Sequence, residues 1–303
     1  MAASGSPLFM TYQPGGLVTV VDQSFTTGDI FFVDSATGTN GAGYGKSPKA
    51  PFATIDYAVG QCTASNGDVV YVMPYHAETV SAAGGLDLDT AGITIIGIGQ
   101  GAAQPTVTLD TATTADVDVD AAGITVRNIH FKANFADIVA AIDVNAADFT
   151  LDGCRFTEAA TNMNALIWVQ DASGTTSNRI TIKNCYAIAK DAANTHFVNF
   201  AGTGDGHVVA GNRLQGDWGT MAVGGAGVIT NCLIEGNLIF NAASTSDACI
   251  NLAATATGMV YNNHCAGAAA QANGVTATAC LISQNYYGVV SEDLSAILDP
   301  IAT

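Results

Sequence analysis

LDLDTAGITI (86–95), VDVDAAGITV (117–126) and IDVNAADFTL (142–151) are three writings of one ten-residue pattern. Each opens with apolar residues at alternate positions around a carboxylate, passes a small-residue bend, and resumes alternation. Period-2 alternation on both sides of a bend reads as two short strands, each with one face buried. Leu86, Val117 and Ile142 then share one inward position, Leu88, Val119 and Val144 a second, and Asp87, Asp118 and Asp143 an outward one.

The second half of the pattern recurs to the end of the chain. ITIIGIG begins at 93, ITVRNIHF at 124, FTLDGCRF at 149 and ITIKNCYA at 180; HVVAGNRL, CLIEGNLI, GMVYNNHC and CLISQNYY come at 207, 232, 258 and 280. The sixth residues of these eight rungs run from Ile98 through Ile129, Cys154, Cys185, Asn212, Asn237 and Asn263 to Asn285. They span 187 residues in seven steps, a mean of about 27, which is the length of a solenoid coil. No coil has room for a helix of ten residues, so only β-structure fits. Equal positions in successive coils stack about 4.8 Å apart. The late run of Asn forms a ladder whose amides satisfy one another at a bend, and Asn also tolerates left-handed backbone there.

Composition bounds the function. Nine Lys+Arg against 26 Asp+Glu give a net charge of −17, which repels phosphate backbones and anionic lipid. Neither nucleic acid nor a membrane is an expected partner. The opening MAASGSPLFMTYQPGG has neither a basic nor an apolar signal region, so no export signal is expected. Seven cysteines without CxxC or CxxH spacing read as reduced, buried thiols. Nucleophile elbows, P-loops and dinucleotide fingerprints are absent.

The coil repeat, the Asn ladder and the segment FFVDSATGTNGAGYGKSPKAPFATIDYAVGQC with NGDVVYVMPYHAETV resemble the right-handed parallel β-helix proteins of the pectate-lyase-like superfamily. The resemblance implies an all-β solenoid. A short helix over 53–62 would cover its open end with Phe52, Ile55, Val59 and Cys62 on one face. The expected divisions are an N-terminal assembly arm (1–28), a cap segment (29–85), the β-helix (86–290) and a closing segment (291–303).

The superfamily's pectate lyases combine Ca²⁺ on carboxylates with an Arg or Lys base. Here Asp87, Asp118 and Asp143 are the expected Ca²⁺ ligands if a metal is held, since hard carboxylate oxygens suit it. The same column continues as Trp168, Asn199, Ala222, Asn251 and Thr276, with no Lys or Arg in it. Arg127 and Lys183 bracket Asp152 in a different outward column and read as an ion-pair ladder. The hydrolases of the superfamily would need an Asp pair and a Gly-x-His-Gly turn; TGDGHVV offers Asp205 and His207, and no Asp-Asp dipeptide exists. A further outward column after the bend carries His130, Arg155, Tyr186 and Arg213, then Leu238, His264 and Tyr286. With Trp168, its first four residues are the candidate contacts for a sugar or a partner subunit.

The expected function is therefore a non-enzymatic structural protein with no required cofactor, resembling bacteriophage virion β-helix proteins such as capsid decorations, spikes or fibres. Its setting would be a virion assembled in the host cytoplasm. Its partners would be further copies, a trimer by resemblance, and a larger capsid joined through the arm. The alternative is a polysaccharide lyase or glycoside hydrolase.

Overall fold

The computed structural model describes residues 10–13, 16–19, 26–172, 177–243, 247–267 and 271–289. Most of the arm and the whole closing segment expected at 291–303 lie outside the described residues. Ahead of the solenoid in sequence, Met10–Gln13 pairs antiparallel with Gly16–Thr19.

From Ile30 onward the strands coil into a parallel β-helix of about eight turns. Each coil holds three strands, where the repeat alone predicts two. Sheet A runs through Leu86–Leu88, Val117–Val119, Ile138–Val144, Ala165–Asp171, His196–Phe200, Met221–Gly225, Ala248–Leu252 and Val275–Thr276. Sheet B has ten strands from Ile30–Val33 to Cys280–Ser283, and sheet C nine from Ala77–Val80 to Tyr286–Val289. The extra strand is the segment after the sixth repeat position, such as His130–Ala133. It turns away from sheet B at a one-residue corner and so pairs only with its own equivalents.

That corner has a chemical signature. The fifth repeat residue is in left-handed backbone in coil after coil: Asn128, Gly153, Asn184, Gly211, Gly236, Asn262 and Gln284 have φ between 53 and 65°. This is where Gly and Asn tolerate positive φ. The ladder asparagines come next in the chain and point inward. Asn212, Asn237 and Asn263 each donate from Nδ2 to the next Asn Oδ1 at 2.9 Å, and each Oδ1 of Asn212, Asn237, Asn263 and Asn285 accepts a backbone N–H. Left-handed geometry and the ladder thus belong to neighbouring positions rather than to one.

The inward columns pair as the repeat requires: Leu86 with Val117 with Ile142, and Leu88 with Val119 with Val144. Cys154 and Cys185 are buried, free and stacked in adjacent coils; all seven cysteines are free. Between the middle coils the interior becomes aromatic, with Phe131 on Phe156 at 5.4 Å, Phe156 against Trp168 at 5.5 Å, and Phe197 against Trp218 at 6.2 Å. Trp168 is fully buried. Ile98 leaves the inward column, because the bend before Thr106 is longer here, and packs with Phe32, Val69, Tyr71 and Met73 in a second cluster. The cap helix is Ile55–Val59, shorter than 53–62, with Thr54 Oγ1 accepting from the Tyr57 N–H at 3.3 Å. Its Ile55, Ala58 and Val59 close the first coil beside Phe52, and Cys62 packs partly buried against the same core.

Candidate functional site

Outward side chains of sheets A and C form the two candidate surfaces. On sheet A the pairing Asp87–Asp118–Asp143 stacks three carboxylates on consecutive rungs. The next residue in that column is Gln170, then Asn199, Gly224, Asn251 and Thr276. Trp168 and Ala222 therefore leave the column. Ala165–Asp171 is a seven-residue strand whose last three residues, Val169, Gln170 and Asp171, repeat the register of Ile142, Asp143 and Val144. Trp168 lies two residues before Gln170 and points into the core, so it is no surface contact.

The acidic strip is crowded. Burial pushes the Asp118 carboxyl up to about 6, with Asp116, Asp120, Asp143 and Asp87 adding like charge. Asp87 is raised by burial and then by Asp89, Asp120 and Asp56. Asp143 is raised by burial and by Asp120, against a 3.4 Å hydrogen bond donated by Gln170 Nε2. Asp116, which the repeat does not single out, joins from the preceding loop, its Oδ1 accepting the Gly84 N–H at 2.6 Å. Asp56 joins from the cap helix, where the Asp87 N–H reaches its Oδ1 at 3.3 Å.

These residues do not fit Ca²⁺. The ladder sets carboxylates one above another, and among the described residues no three His, Cys, Asp or Glu side chains group to hold a metal ion. A Ca²⁺ site needs six to eight oxygens around a centre. Burial and like charge in the strip raise its carboxyl pKa values, and the Gln170 amide partly offsets this at Asp143.

On sheet C the column forms as the repeat dictates: Thr106, His130, Arg155, Tyr186, Arg213, Leu238, His264 and Tyr286 pair in order. His130 Nε2 lies 2.7 Å from Thr157 Oγ1 and Nδ1 lies 3.4 Å from Thr106 Oγ1. Burial, then Arg155 and Lys132, lower its pKa to about 4, so the imidazole is neutral near pH 7. The Arg213 guanidinium sits 5.7 Å from the Tyr186 ring centre, and His264 stacks on Tyr286 at 4.9 Å. Lys132, two residues after His130 on the same outward side of the strand, extends the cationic part of the face. Alternation alone puts it there, but a single Lys in its column gives the sequence no ladder to mark it.

The remaining candidates separate. Arg127 and Lys183 flank Asp152 at 3.3 and 3.8 Å, an ion-pair ladder on sheet B. Asp205 is exposed and accepts from Thr230 Oγ1 and Asn231 Nδ2, whereas His207 is buried and stacked on Phe200 at 5.2 Å. Burial lowers the His207 pKa to about 4. Asp171 and Ser177, both buried, hydrogen-bond beside that ring, with Asp171 Oδ2 3.8 Å from His207 Nε2. This cluster belongs to the interior, and no surface residue pattern marks it in the sequence.

Comparison with known proteins bears on the scaffold. No protein-family model matches the chain, and no curated protein does. Among solved structures, a rhamnogalacturonan lyase matches with a TM-score of 0.52 at 12% identity, over 79% of this chain and 68% of that one. A GH136 lacto-N-biosidase from Eubacterium ramulus matches at 11% identity, over 86% of this chain and 68% of that one, with a TM-score of 0.34. The first likeness supports the parallel β-helix fold; at this identity it carries no activity across.

Proposed function

We propose that the chain is a non-enzymatic β-helical assembly protein that uses its outward ladders as contact surfaces for partners or glycans. The carrying observation is the sheet C face. Its Arg155 and Arg213 have no carboxylate in ion-pair contact among the described residues, and its Leu238 and Phe240 are 50% and 37% exposed. A column of unpaired cations, stacked rings and bare aliphatic surface suits recognition more than proton transfer. The sheet A strip supplies carboxylates but no facing cation, which a lyase base would require. A bacteriophage decoration, spike or fibre is the setting proposed, and that setting rests on the sequence resemblance alone.

One observation favours a second reading. Asp118 holds its proton to about pH 6 on the rung beside Asp143. Glycoside hydrolysis uses a pair of neighbouring carboxyls, one of them with a raised pKa. The discriminating experiment is incubation of the intact protein with a broad polysaccharide panel, reading reducing and unsaturated ends. No release is expected. Reproducible release that Asp118→Asn or Asp143→Asn abolishes would replace the assembly reading with the enzymatic one.

A further inference from the structure

Four of the nine Lys and Arg residues are ion-paired within the chain: Lys46, Arg127, Lys183 and Arg179. Of the five without such a pair among the described residues, three stand on the outward face of sheet C: Lys132, Arg155 and Arg213. In a chain with 26 acidic groups this is a concentration of unanswered positive charge on one face. The corresponding unanswered negative charge is on sheet A, at Asp87, Asp118 and Asp143, where no Lys or Arg among the described residues is in ion-pair contact.

The two faces are also matched in height. Each coil passes from sheet A through sheet B to sheet C, so the strand of Asp118 leads into the strand of Lys132, and the strand of Asp143 into that of Arg155. Neighbouring rungs on both faces are about 4.8 Å apart; Asp118 and Asp143 share one column, while Lys132 stands two residues further along its strand than Arg155 and reaches back with its long side chain.

We infer that sheet C of one copy docks on sheet A of a second copy, with Arg155 against Asp143 and Lys132 against Asp118. The inference rests on the assembly reading and names its partner as the chain itself. Because docking face and receiving face differ, the contact is heterologous. Matched coil heights leave no axial step, so successive copies stand side by side with parallel axes. A strip of nine strands, about 40 Å tall and about 13 Å wide, covers on the order of 500 Å². That is short of the roughly 800 Å² per partner of a standard interface, so the contact is a weak, salt-sensitive one.

Charge exchange tests the contact. Arg155→Asp and Asp143→Arg are made singly and together in the full chain, and native mass is measured at low and high salt, with circular dichroism to verify the fold. The expected result is an assembly for the native chain, single chains for each variant, and restored assembly for the pair. Lys132→Glu with Asp118→Lys serves as a second pair should either variant of the first unfold. A native chain that runs as a single copy at low salt, or variants that leave the mass unchanged, would overturn the inference. Failure here is separable from failure of the assembly reading: polysaccharide cleavage sinks that reading, whereas a single-copy mass without cleavage sinks the docking alone.

Discussion

The Asn237 side chain is held by four hydrogen bonds: its Oδ1 accepts from the Asn212 N–H and Nδ2, and its Nδ2 donates to Val209 O and Asn263 Oδ1. Alanine there strands buried polar groups on both neighbouring rungs, and each buried unpaired group costs roughly 1–3 kcal/mol. Asn237→Ala is therefore expected to lower stability by about 3 kcal/mol in denaturant unfolding. Gly236→Ala, at the left-handed corner beside it, should cost about 1 kcal/mol through backbone strain. The ladder is legible in the sequence because Asn at one spacing is a strong signal. The corner lies one residue earlier than the sequence suggests, because Gly, Asn and Gln alternate there and only geometry unites them. Asp118 makes a second test. Its folded pKa of about 6 lies above the ordinary carboxyl value, so the folded state binds the proton more tightly. The associated stability is complete below the ordinary value and is lost as pH rises through about 6. Asp118→Asn should accordingly raise the melting temperature at pH 7 and leave it unchanged near pH 4. A higher melting temperature near pH 4 than at pH 7 in the native chain, flattened in the variant, is the signature.

Strands and columns carry the next level of consequence. The repeat places Trp168 on the surface only when it is aligned two residues early on Ala165–Asp171. Like Ile138–Val144, the strand is longer than the triplets Leu86–Leu88 and Val117–Val119, and it holds two consecutive buried residues, Trp168 and Val169, where simple alternation allows one. Aligning Val169, Gln170 and Asp171 with Ile142, Asp143 and Val144 recovers the observed pairing. The consequence is measurable: Trp168→Ala opens a cavity against Phe156 and is expected to cost roughly 3–5 kcal/mol, read by thermal unfolding. A contact residue on the surface would cost almost nothing. The cysteine columns offer another check. Burial drives the Cys154 thiol up to about 12, and Cys185 is raised likewise by its burial and its neighbour. Both should resist alkylation in the native protein at pH 8, whereas titration of the unfolded, unreduced chain should find seven thiols.

For the whole molecule, the solenoid is the most legible property and the third sheet the least. A period of about 27 residues states that coils stack, but corners are set by single residues in left-handed backbone, and alternation continues across them. The sheet C column survives that omission, since the positions after the corner share one register regardless of which sheet they join. The acidic residues do stack as a ladder, yet they make no cation site, because stacking alone does not bend donors around a centre. The molecule therefore carries complementary charge on two of its faces and a net charge of −17 that opposes any less ordered association. Sedimentation equilibrium of the intact chain across ionic strength tests this complementarity most directly. Particles of more than one chain are predicted at low salt, dissociating as salt screens the contacts. A particle of one chain at every ionic strength would contradict the docking of sheet C on sheet A.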